Sequence, residues 1–352
     1  MASPLMSSFN IFGIGKDPKS YLGVDIGTLS IKIVELSNED NRPKLQNYAI
    51  LTNYGLTESP KIFGGEAVSM LRRLLKESIA VSKEVNMSAP IFSSFLTIME
   101  LPPMSEQEIA SAVQFEAKKY IPVPLESVLI DWSLIGVNGD GQISILLVAI
   151  PKDLASEYAN IAKEAELKLV NLELETMSAT RALIGNDPIP AALLDMGYRD
   201  TTISVVDGSH LRISHSIETS GEDLTRTLSS GLNISWRRAE ELKKEHGLEV
   251  IDKNSQIGGV ITPFLDIIVS ATKNIIDLYF SKTNKKIEKL IIYGGAAKMP
   301  GFSEYLSKGL NIDVLVGNPF SKVIYNEKLN PIFKKIGHEF AIATGLALKA
   351  IG

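Results

Sequence analysis

Residues 21–36, YLGVDIGTLSIKIVEL, decide the fold class that this sequence predicts. Apolar residues flank a short polar segment at the two-residue period of β-strands, which is typical of a β-hairpin. The hairpin tip carries more polar groups than a turn needs: Asp25, Gly27, Thr28, Ser30 and Lys32. The glycine lets the backbone approach a bulky anion, and turn amides with hydroxyls bind phosphate oxygens. Asp25 repels phosphate directly, so it suits a Mg²⁺ ion held through water.

A second stretch repeats this plan far along the chain. Residues 191–206, AALLDMGYRDTTISVV, again run from an apolar strand through a turn to an apolar strand. The polar tip here contains Asp195, Gly197, Thr201 and Thr202. A lone Asp-x-Gly hairpin is most often an ordinary turn, because motifs this short recur by chance. Two of them predict two similar half-domains that face one ligand.

A glycine-rich segment after a short buried strand is the third element of this pattern. Residues 291–301, IIYGGAAKMPG, place Gly294, Gly295 and Lys298 ahead of a predicted helix at 303–309. The backbone of such a loop is free to lie along a nucleotide near the start of a helix.

The three segments, in this order, resemble the two phosphate hairpins and the adenosine loop of the actin-like ATPase superfamily. From residue 21 to its end the chain more narrowly resembles the PilM family of type IV pilus assembly proteins, relatives of the division protein FtsA. The resemblance implies an α/β fold of two duplicated ribonuclease-H-like halves with a nucleotide cleft between them. A small inserted αβ subdomain of the SHS2 type is expected in the first half.

The same resemblance implies ATP and Mg²⁺ as cofactors. The metal is expected near Asp25 and Asp195, on the two hairpins. The residues expected to bind the nucleotide are those of the three segments, with phosphate at Thr28, Ser30, Lys32 and Thr201 and adenosine at Gly294 and Gly295.

The implied domain boundaries follow changes in the sequence pattern. Residues 1–20 form an N-terminal tail, and the pattern shifts to a self-contained unit near residue 89. The predicted divisions are a first half at 21–88 and 171–190, an insert at 89–170, and a second half at 191–352 with a helical subdomain at about 222–289.

Within the insert, Ser105 and Glu108 have the spacing of a capping box at the start of a helix. That helix is predicted to end at about Tyr120, before the prolines of segment 115–124, FEAKKYIPVP. A strand at 168–173 is predicted to close the unit. Segment 115–124 is the most PilM-like part of the chain. Its residues fit the packing of a corner, and the resemblance implies a binding groove beside them as the alternative.

Three further residues acquire a role only through the resemblance. Glu175 begins a predicted helix between the halves, where the superfamily places a residue that faces the attacking water. The alternative is a glutamate favoured by the helix dipole. Glu240 and Lys243 share one predicted helix face, where relatives contact ribose and adenine, and the alternative is a surface ion pair. Residues 338–350 are small and apolar, which predicts close packing against the helix that Glu175 begins.

Composition excludes several other functions. The 36 Lys and Arg and 41 Asp and Glu residues give a net charge of −5, whereas a nucleic-acid-binding protein carries a basic face. The absence of cysteine excludes disulfides and thiolate metal sites. No continuous apolar run approaches the roughly 20 residues that span a bilayer, and the N-terminus lacks the pattern of an export signal.

The resemblance implies a cytoplasmic scaffold of the type IV pilus platform, peripheral on the inner face of the cytoplasmic membrane. Its implied partners are other platform proteins and the cytoplasmic N-terminal segment of a PilN-type membrane protein, which is expected to dock between the first half and the insert. Self-association is also open. ATP hydrolysis is expected to be slow or absent, because no group other than Glu175 stands out for activating water. Two alternatives stay open: an FtsA-like division scaffold that tethers filaments to the membrane, and a small-molecule kinase of the same superfamily.

Overall fold

The structure, a computed structural model, describes residues 20–53, 64–137, 141–248 and 256–351. The predicted N-terminal tail, apart from Ser20, lies outside these residues. The strands are β1 Tyr21–Ile26, β2 Ser30–Glu39, β3 Arg42–Thr52, β4 Glu84–Ala89, β5 Phe95–Leu101, β6 Val128–Val137, β7 Ile143–Pro151, β8 Lys168–Leu174, β9 Ala191–Met196, β10 Thr201–Asp207, β11 His210–Ile217, β12 Lys289–Tyr293 and β13 Asp313–Val316. The α-helices are α1 Gly65–Ser78, α2 Glu106–Glu116, α3 Lys152–Glu164, α4 Glu175–Leu183, α5 Gly221–Leu232, α6 Trp236–Glu245, α7 Gln256–Thr283, α8 Phe302–Leu310, α9 Asn330–Ile336 and α10 Ala341–Lys349.

Two of the three sheets share one plan. The strand order is β3-β2-β1-β4-β8 in the first sheet and β11-β10-β9-β12-β13 in the second. In each sheet the first three strands along the chain are antiparallel neighbours, and the other two strands run parallel to the first of them. The predicted duplication of the halves is therefore confirmed.

The third sheet, β5-β7-β6, is antiparallel and forms the insert together with α2. The predicted capping box is present, since the backbone N–H of Ser105 donates to Glu108 Oε2 at 2.8 Å. The strand predicted to close the insert lies elsewhere. As β8 it pairs in parallel with β4, a strand that the sequence analysis did not predict. The reason is burial, because Leu169 and Leu172 of β8 pack in the same core as Val85 of β4.

Helix α7 crosses the core of the second half. Its residues 259–283 are the one described helical stretch long and apolar enough to cross a membrane. Charged residues such as Asp266 and Lys273 interrupt it, so the sequence shows no continuous apolar run there. Ile261, Leu265 and Ile268 are fully buried. They pack in the core beside β9, β10 and β12, as expected of a core helix in a globular domain.

Helix α10 packs on the first half, between α4 and β1. A Cβ atom at Gly345 would overlap the carbonyl oxygen of Ser178, and one at Gly23 would overlap the carbonyl oxygen of Ala343. Glycine therefore lets the helix backbones approach directly. This is the packing that the small residues of 338–350 predict.

The segment between β13 and α10 lies along the outer edge of the first sheet. Ile324 exchanges two backbone hydrogen bonds with β3, of 2.8 and 2.9 Å. The rings of Phe320 and Phe333 stack with centroids 4.0 Å apart, and Tyr48 of β3 meets Phe333 edge-on at 4.9 Å. The chain of the second half therefore wraps onto the first.

A buried ion cluster joins β8, α4 and α10. The carboxylate of Glu173 is 2% exposed and accepts hydrogen bonds from Arg181 at 2.6 Å, Lys349 at 2.7 Å and Ser178 at 2.6 Å. Burial raises the pKa of Glu173, but the two cations outweigh burial and hold that pKa at about 2. The cluster therefore fixes α10 to the first half most strongly while Glu173 is ionised.

We expect the Glu173→Gln substitution to cost about 3–5 kcal/mol at neutral pH, because it leaves two cations without their shared partner. A depressed folded-state pKa contributes stability that is complete above the unfolded value, about 4.3, and disappears as the pH falls towards 2. The stability difference between wild type and Glu173→Gln should therefore shrink between about pH 5 and pH 3. Urea unfolding across this range measures it, and a constant difference would contradict the prediction.

Candidate functional site

A cleft of about 540 Å³ lies between the two duplicated halves. Both predicted hairpin tips line it, together with the first residue of α4, part of α6 and the loop after β12. Its volume is within the usual range for small-molecule and cofactor sites. The described residues that share this cavity include both Asp25 and Asp195, on opposite walls.

The two hairpin tips have the same geometry. In the first, the N–H of Gly27 donates to the carbonyl of Ser30 at 3.0 Å. In the second, the N–H of Gly197 donates to the carbonyl of Asp200 at 3.1 Å. The registers also agree, since Asp25 lies opposite Lys32 and Asp195 lies opposite Thr202. Each position of one tip therefore has a structural counterpart in the other.

The first wall combines a carboxylate with a cation. Asp25 is buried, with its Oδ2 3.3 Å from the ammonium of Lys32. The hydroxyl of Ser88, on β4, donates to the other oxygen of Asp25 at 3.4 Å. Thr28 and Ser30 complete the wall. Lys32 therefore stands where it can neutralise Asp25 and reach an anion in the cleft.

The second wall is more acidic than its sequence motif indicates. Asp195 and Gly197 line the cleft as predicted, and Asp200 lines it beside them. Asp200 occupies the position that Ser30 has in the first tip. The hydroxyl of Thr202 donates to Asp200 Oδ2 at 3.2 Å and is not part of the cleft lining.

Three carboxyl groups in the cleft hold their protons unusually well. Burial raises the pKa of Glu175 well above its ordinary value, and the charges of Asp200, Asp195 and Asp25 add to the effect. Burial and the charges of Asp200 and Asp25 likewise raise the pKa of Asp195, and burial raises that of Asp200. Glu175 also accepts a hydrogen bond of 3.1 Å from the N–H of Ile91. Such a cluster favours a bound cation.

Helix α6 brings Glu240 and Lys243 to the cleft as one unit. Lys243 is 4% exposed, and its ammonium lies 2.7 Å from Glu240, 2.8 Å from the carbonyl of Gly221 and 2.8 Å from the hydroxyl of Thr225. Burial raises the pKa of Glu240, but Lys243, Thr225 and Lys244 outweigh it and hold that pKa at about 2. Three protein acceptors surround Lys243, so its main effect is to position an ionised Glu240.

The glycine loop closes the cleft at the end of β12. Gly294 has φ of +89°, a left-handed conformation that favours glycine, and a Cβ atom there would overlap the carboxylate of Asp195. Its N–H donates to the carbonyl of His338 at 3.3 Å. Gly295 faces open space in the cleft. Lys298 lies outside the lining and donates a hydrogen bond to the carbonyl of Lys334.

The structure brings most of the predicted site residues into this one cleft. Those that line it are Asp25, Gly27, Thr28, Ser30, Lys32, Glu175, Asp195, Gly197, Glu240, Lys243, Gly294 and Gly295. Thr201, Thr202 and Lys298 do not line it. Thr201 is fully buried, and its hydroxyl donates to the carbonyl of Thr219 at 2.6 Å. Residues that sequence reasoning missed are Asp200, Arg199, Lys244, Tyr158, Tyr293 and Glu339.

These residues fit a nucleotide with a hydrated divalent ion better than a metal bound by protein alone. Among the described residues, no three His, Asp or Glu side chains are arranged as a metal cage. Asp25 and Asp195 instead face each other across a cavity with room for water and phosphate. Mg²⁺ commonly keeps several waters and binds through one or two carboxylates together with phosphate oxygens.

Comparison with known proteins identifies the family of this chain. The family described as "Type IV pilus assembly protein PilM" matches residues 23–351. The chain belongs to this family. This PilM-family chain is also similar to the cell division protein FtsA of Enterococcus faecalis. The two are 20% identical over 89% of this chain and 84% of FtsA.

Solved structures show the fold of this PilM-family chain. A "PilM-PilN type IV pilus biogenesis complex" matches with a TM-score of 0.82 at 23% identity, covering 96% of this chain and all of the other. MreB5 of Spiroplasma citri, solved with AMPPNP bound, matches with a TM-score of 0.52 at 13% identity over 94% and 95%. The fold is therefore the actin-like ATPase fold that the sequence predicts.

Proposed function

We propose that this protein is a Mg²⁺-ATP-binding scaffold of the type IV pilus inner-membrane platform. The observation that carries the nucleotide part is the pair of matched hairpin tips, each with an aspartate, that face one cleft. Turn amides and hydroxyls suit phosphate oxygens, and the paired aspartates suit a hydrated Mg²⁺ ion. The structure of MreB5, which was solved bound to AMPPNP and has the same fold, supports a nucleotide ligand for this chain.

Each part of the cleft has a proposed role in this complex. Gly27, Thr28, Ser30, Lys32 and Gly197 hold the phosphates, and Asp25 and Asp195 hold Mg²⁺ through water. Glu240, positioned by Lys243, faces the ribose, and Gly294 and Gly295 lie along the adenosine. Because both halves would contact one ligand, bound ATP favours the closed arrangement and acts as a switch.

Hydrolysis is proposed to be slow at most. Glu175 is the one group of the cleft that the superfamily position assigns to the attacking water. Burial and the neighbouring carboxylates raise its pKa well above the ordinary value, which favours the protonated form. A protonated carboxyl group cannot accept a proton from water. The scaffold role therefore rests on binding rather than on turnover.

We propose that a second, smaller groove of about 180 Å³ binds the protein partner of this scaffold. It lies within the insert, between the start of β5 and the corner at Tyr120 and Ile121, and its described lining includes no residue of the first sheet. The hydroxyl of Ser94 is buried there without a hydrogen-bond partner. β5 is one of the two edge strands of its sheet, and edge strands accept extended peptides.

The partner we propose is the cytoplasmic N-terminal segment of a PilN-type membrane protein, in line with the matched PilM-PilN complex. Such a partner would place the scaffold at the inner face of the cytoplasmic membrane. Other platform proteins would then assemble on the same surface.

The groove is tested with a labelled N-terminal peptide of the PilN-type protein from the same organism. Tyr120→Ala should weaken peptide binding at least about tenfold in fluorescence polarisation, because an aromatic anchor of the groove is lost. Phe280→Ala on α7 is the matched control, since Phe280 is 41% exposed and Tyr120 is 40% exposed. Equal binding by both variants would place the partner elsewhere.

The FtsA relatives favour a division scaffold as the second candidate. The two functions differ in how the protein reaches a membrane. Flotation of the purified protein with lipid vesicles by itself would support the division scaffold. Flotation that requires vesicles carrying a PilN-type protein would support the pilus platform.

A further inference from the structure

The two hairpin tips differ at one equivalent position that faces the cleft. Ser30 closes the first tip with its carbonyl, and Asp200 closes the second in the same way. Both line the cavity. The fold therefore places a neutral hydroxyl on one wall and a carboxylate at the matching point of the other.

Asp200 lines the same cavity as Glu175, Asp195 and Asp25, so its charge acts on all three. Of the charged groups that disfavour ionisation of Glu175, Asp200 is the strongest, and the same holds for Asp195. Cations compensate this charge only in part: Arg199 lines the cleft beside Asp200 and lowers its pKa, yet burial outweighs it and the pKa of Asp200 stays raised. Lys32 pairs with Asp25 at 3.3 Å, and the ammonium of Lys243 is held by Glu240 and two other protein acceptors.

We propose that Asp200 makes nucleotide binding dependent on a divalent cation and selects against metal-free ATP. This inference rests on the proposed Mg²⁺-ATP function and names the residue that sets its metal requirement. Unneutralised phosphates entering the cleft would add negative charge beside Asp195, Asp200 and Asp25, in a partly buried site where like charges already oppose one another. A divalent ion between carboxylates and phosphates replaces that repulsion by attraction on both sides.

The role of Asp200 differs from that of the two metal-side aspartates. Asp25 and Asp195 are expected to matter most when Mg²⁺ is present, because they hold it. Asp200 is expected to matter most when Mg²⁺ is absent, because no divalent ion then stands between its charge and the phosphates. The two kinds of residue are therefore distinguished by the metal dependence of binding, without any measurement of hydrolysis.

The test copies the first tip into the second with Asp200→Ser. Binding of a fluorescent ATP analogue is measured in excess Mg²⁺ and in excess EDTA, for wild type, Asp200→Ser and the control Asp313→Ser. Asp313 is an exposed carboxylate on β13 outside the cleft lining, so its variant removes the same charge elsewhere. We expect Asp200→Ser to gain at least about tenfold in metal-free affinity while its Mg²⁺-ATP affinity changes less than about threefold.

The outcomes separate this inference from the proposed function. The inference alone would be overturned if Asp200→Ser bound Mg²⁺-ATP normally and its ratio of Mg²⁺-ATP to metal-free affinity equalled that of the wild type. An equal gain in Asp313→Ser would also overturn it, since overall charge would then be responsible. Failure of the wild-type protein to bind ATP with or without Mg²⁺ would overturn the proposed function, and the inference with it.

Discussion

Replacing Asp25 with asparagine is expected to weaken Mg²⁺-ATP binding by at least about 100-fold, or about 2.8 kcal/mol. The substitution keeps the shape of the side chain but removes one of the two carboxylates proposed to hold the hydrated ion. It also leaves the ammonium of Lys32, 3.3 Å away, without its counter-ion. Titration calorimetry with Mg²⁺-ATP measures the loss, and urea unfolding shows whether the fold is retained.

The matched control for Asp25→Asn is Asp207→Asn. Asp207 is also buried and also paired with a lysine, Lys285, at 2.7 Å, but it lies at the end of β10 remote from the cleft. Both variants remove a buried carboxylate from its ion pair with a lysine, so both should lose stability. Only Asp25→Asn should lose affinity for Mg²⁺-ATP. Tight binding of Mg²⁺-ATP by Asp25→Asn would remove the basis of the proposed nucleotide site.

The second large effect is expected at the crossing of α10 and α4. Gly345→Ala should destabilise the protein by about 3 kcal/mol, because the new Cβ atom meets the carbonyl oxygen of Ser178 and backbone must move. A contact with backbone cannot be relieved by a change of side-chain rotamer. Urea unfolding gives the free energy directly.

A glycine in another helix gives the opposite expectation. Among the described residues, no atom lies within 4 Å of a Cβ built at Gly259 in α7, apart from its chain neighbours and the helix's own backbone. Alanine there should stabilise the protein by about 0.5–1 kcal/mol, since it restricts the unfolded chain and favours helix. Two glycine-to-alanine changes should therefore shift stability in opposite directions. Equal shifts would mean that α10 does not pack on α4 as described.

The fold was predictable because its deciding pattern is local. The hairpin around Asp25 and the one around Asp195 each show strand period, a turn and a polar tip within a short stretch, and their repetition implies duplicated halves. Strand β4 was not predictable in the same way. In the described part of the chain, no hairpin turn links it to a neighbouring strand. Its position in the sheet is determined by parallel pairing with β1 and β8, which lie far from it along the chain.

The second wall of the cleft shows where motif comparison by residue type fails. Alternate residues of a strand face the same side, so the counterparts of Ser30 and Lys32 are Asp200 and Thr202. The hydroxyl of Thr201 resembles a phosphate ligand in sequence but faces the opposite side. Thr202 faces the same side as Lys32 does in the first tip. Its side chain is shorter than lysine, however, and its hydroxyl donates to Asp200. Counting positions from each aspartate identifies Asp200 from sequence alone.

The position of α10 has a consequence for synthesis on the ribosome. Strands β1 and β2 acquire their covering layer from helix α10, which is translated long after them. Until then the nascent first half exposes an apolar sheet surface, and contacts so distant along the chain form slowly. We therefore expect the first half of this protein to bind chaperones that cover apolar surfaces of nascent chains.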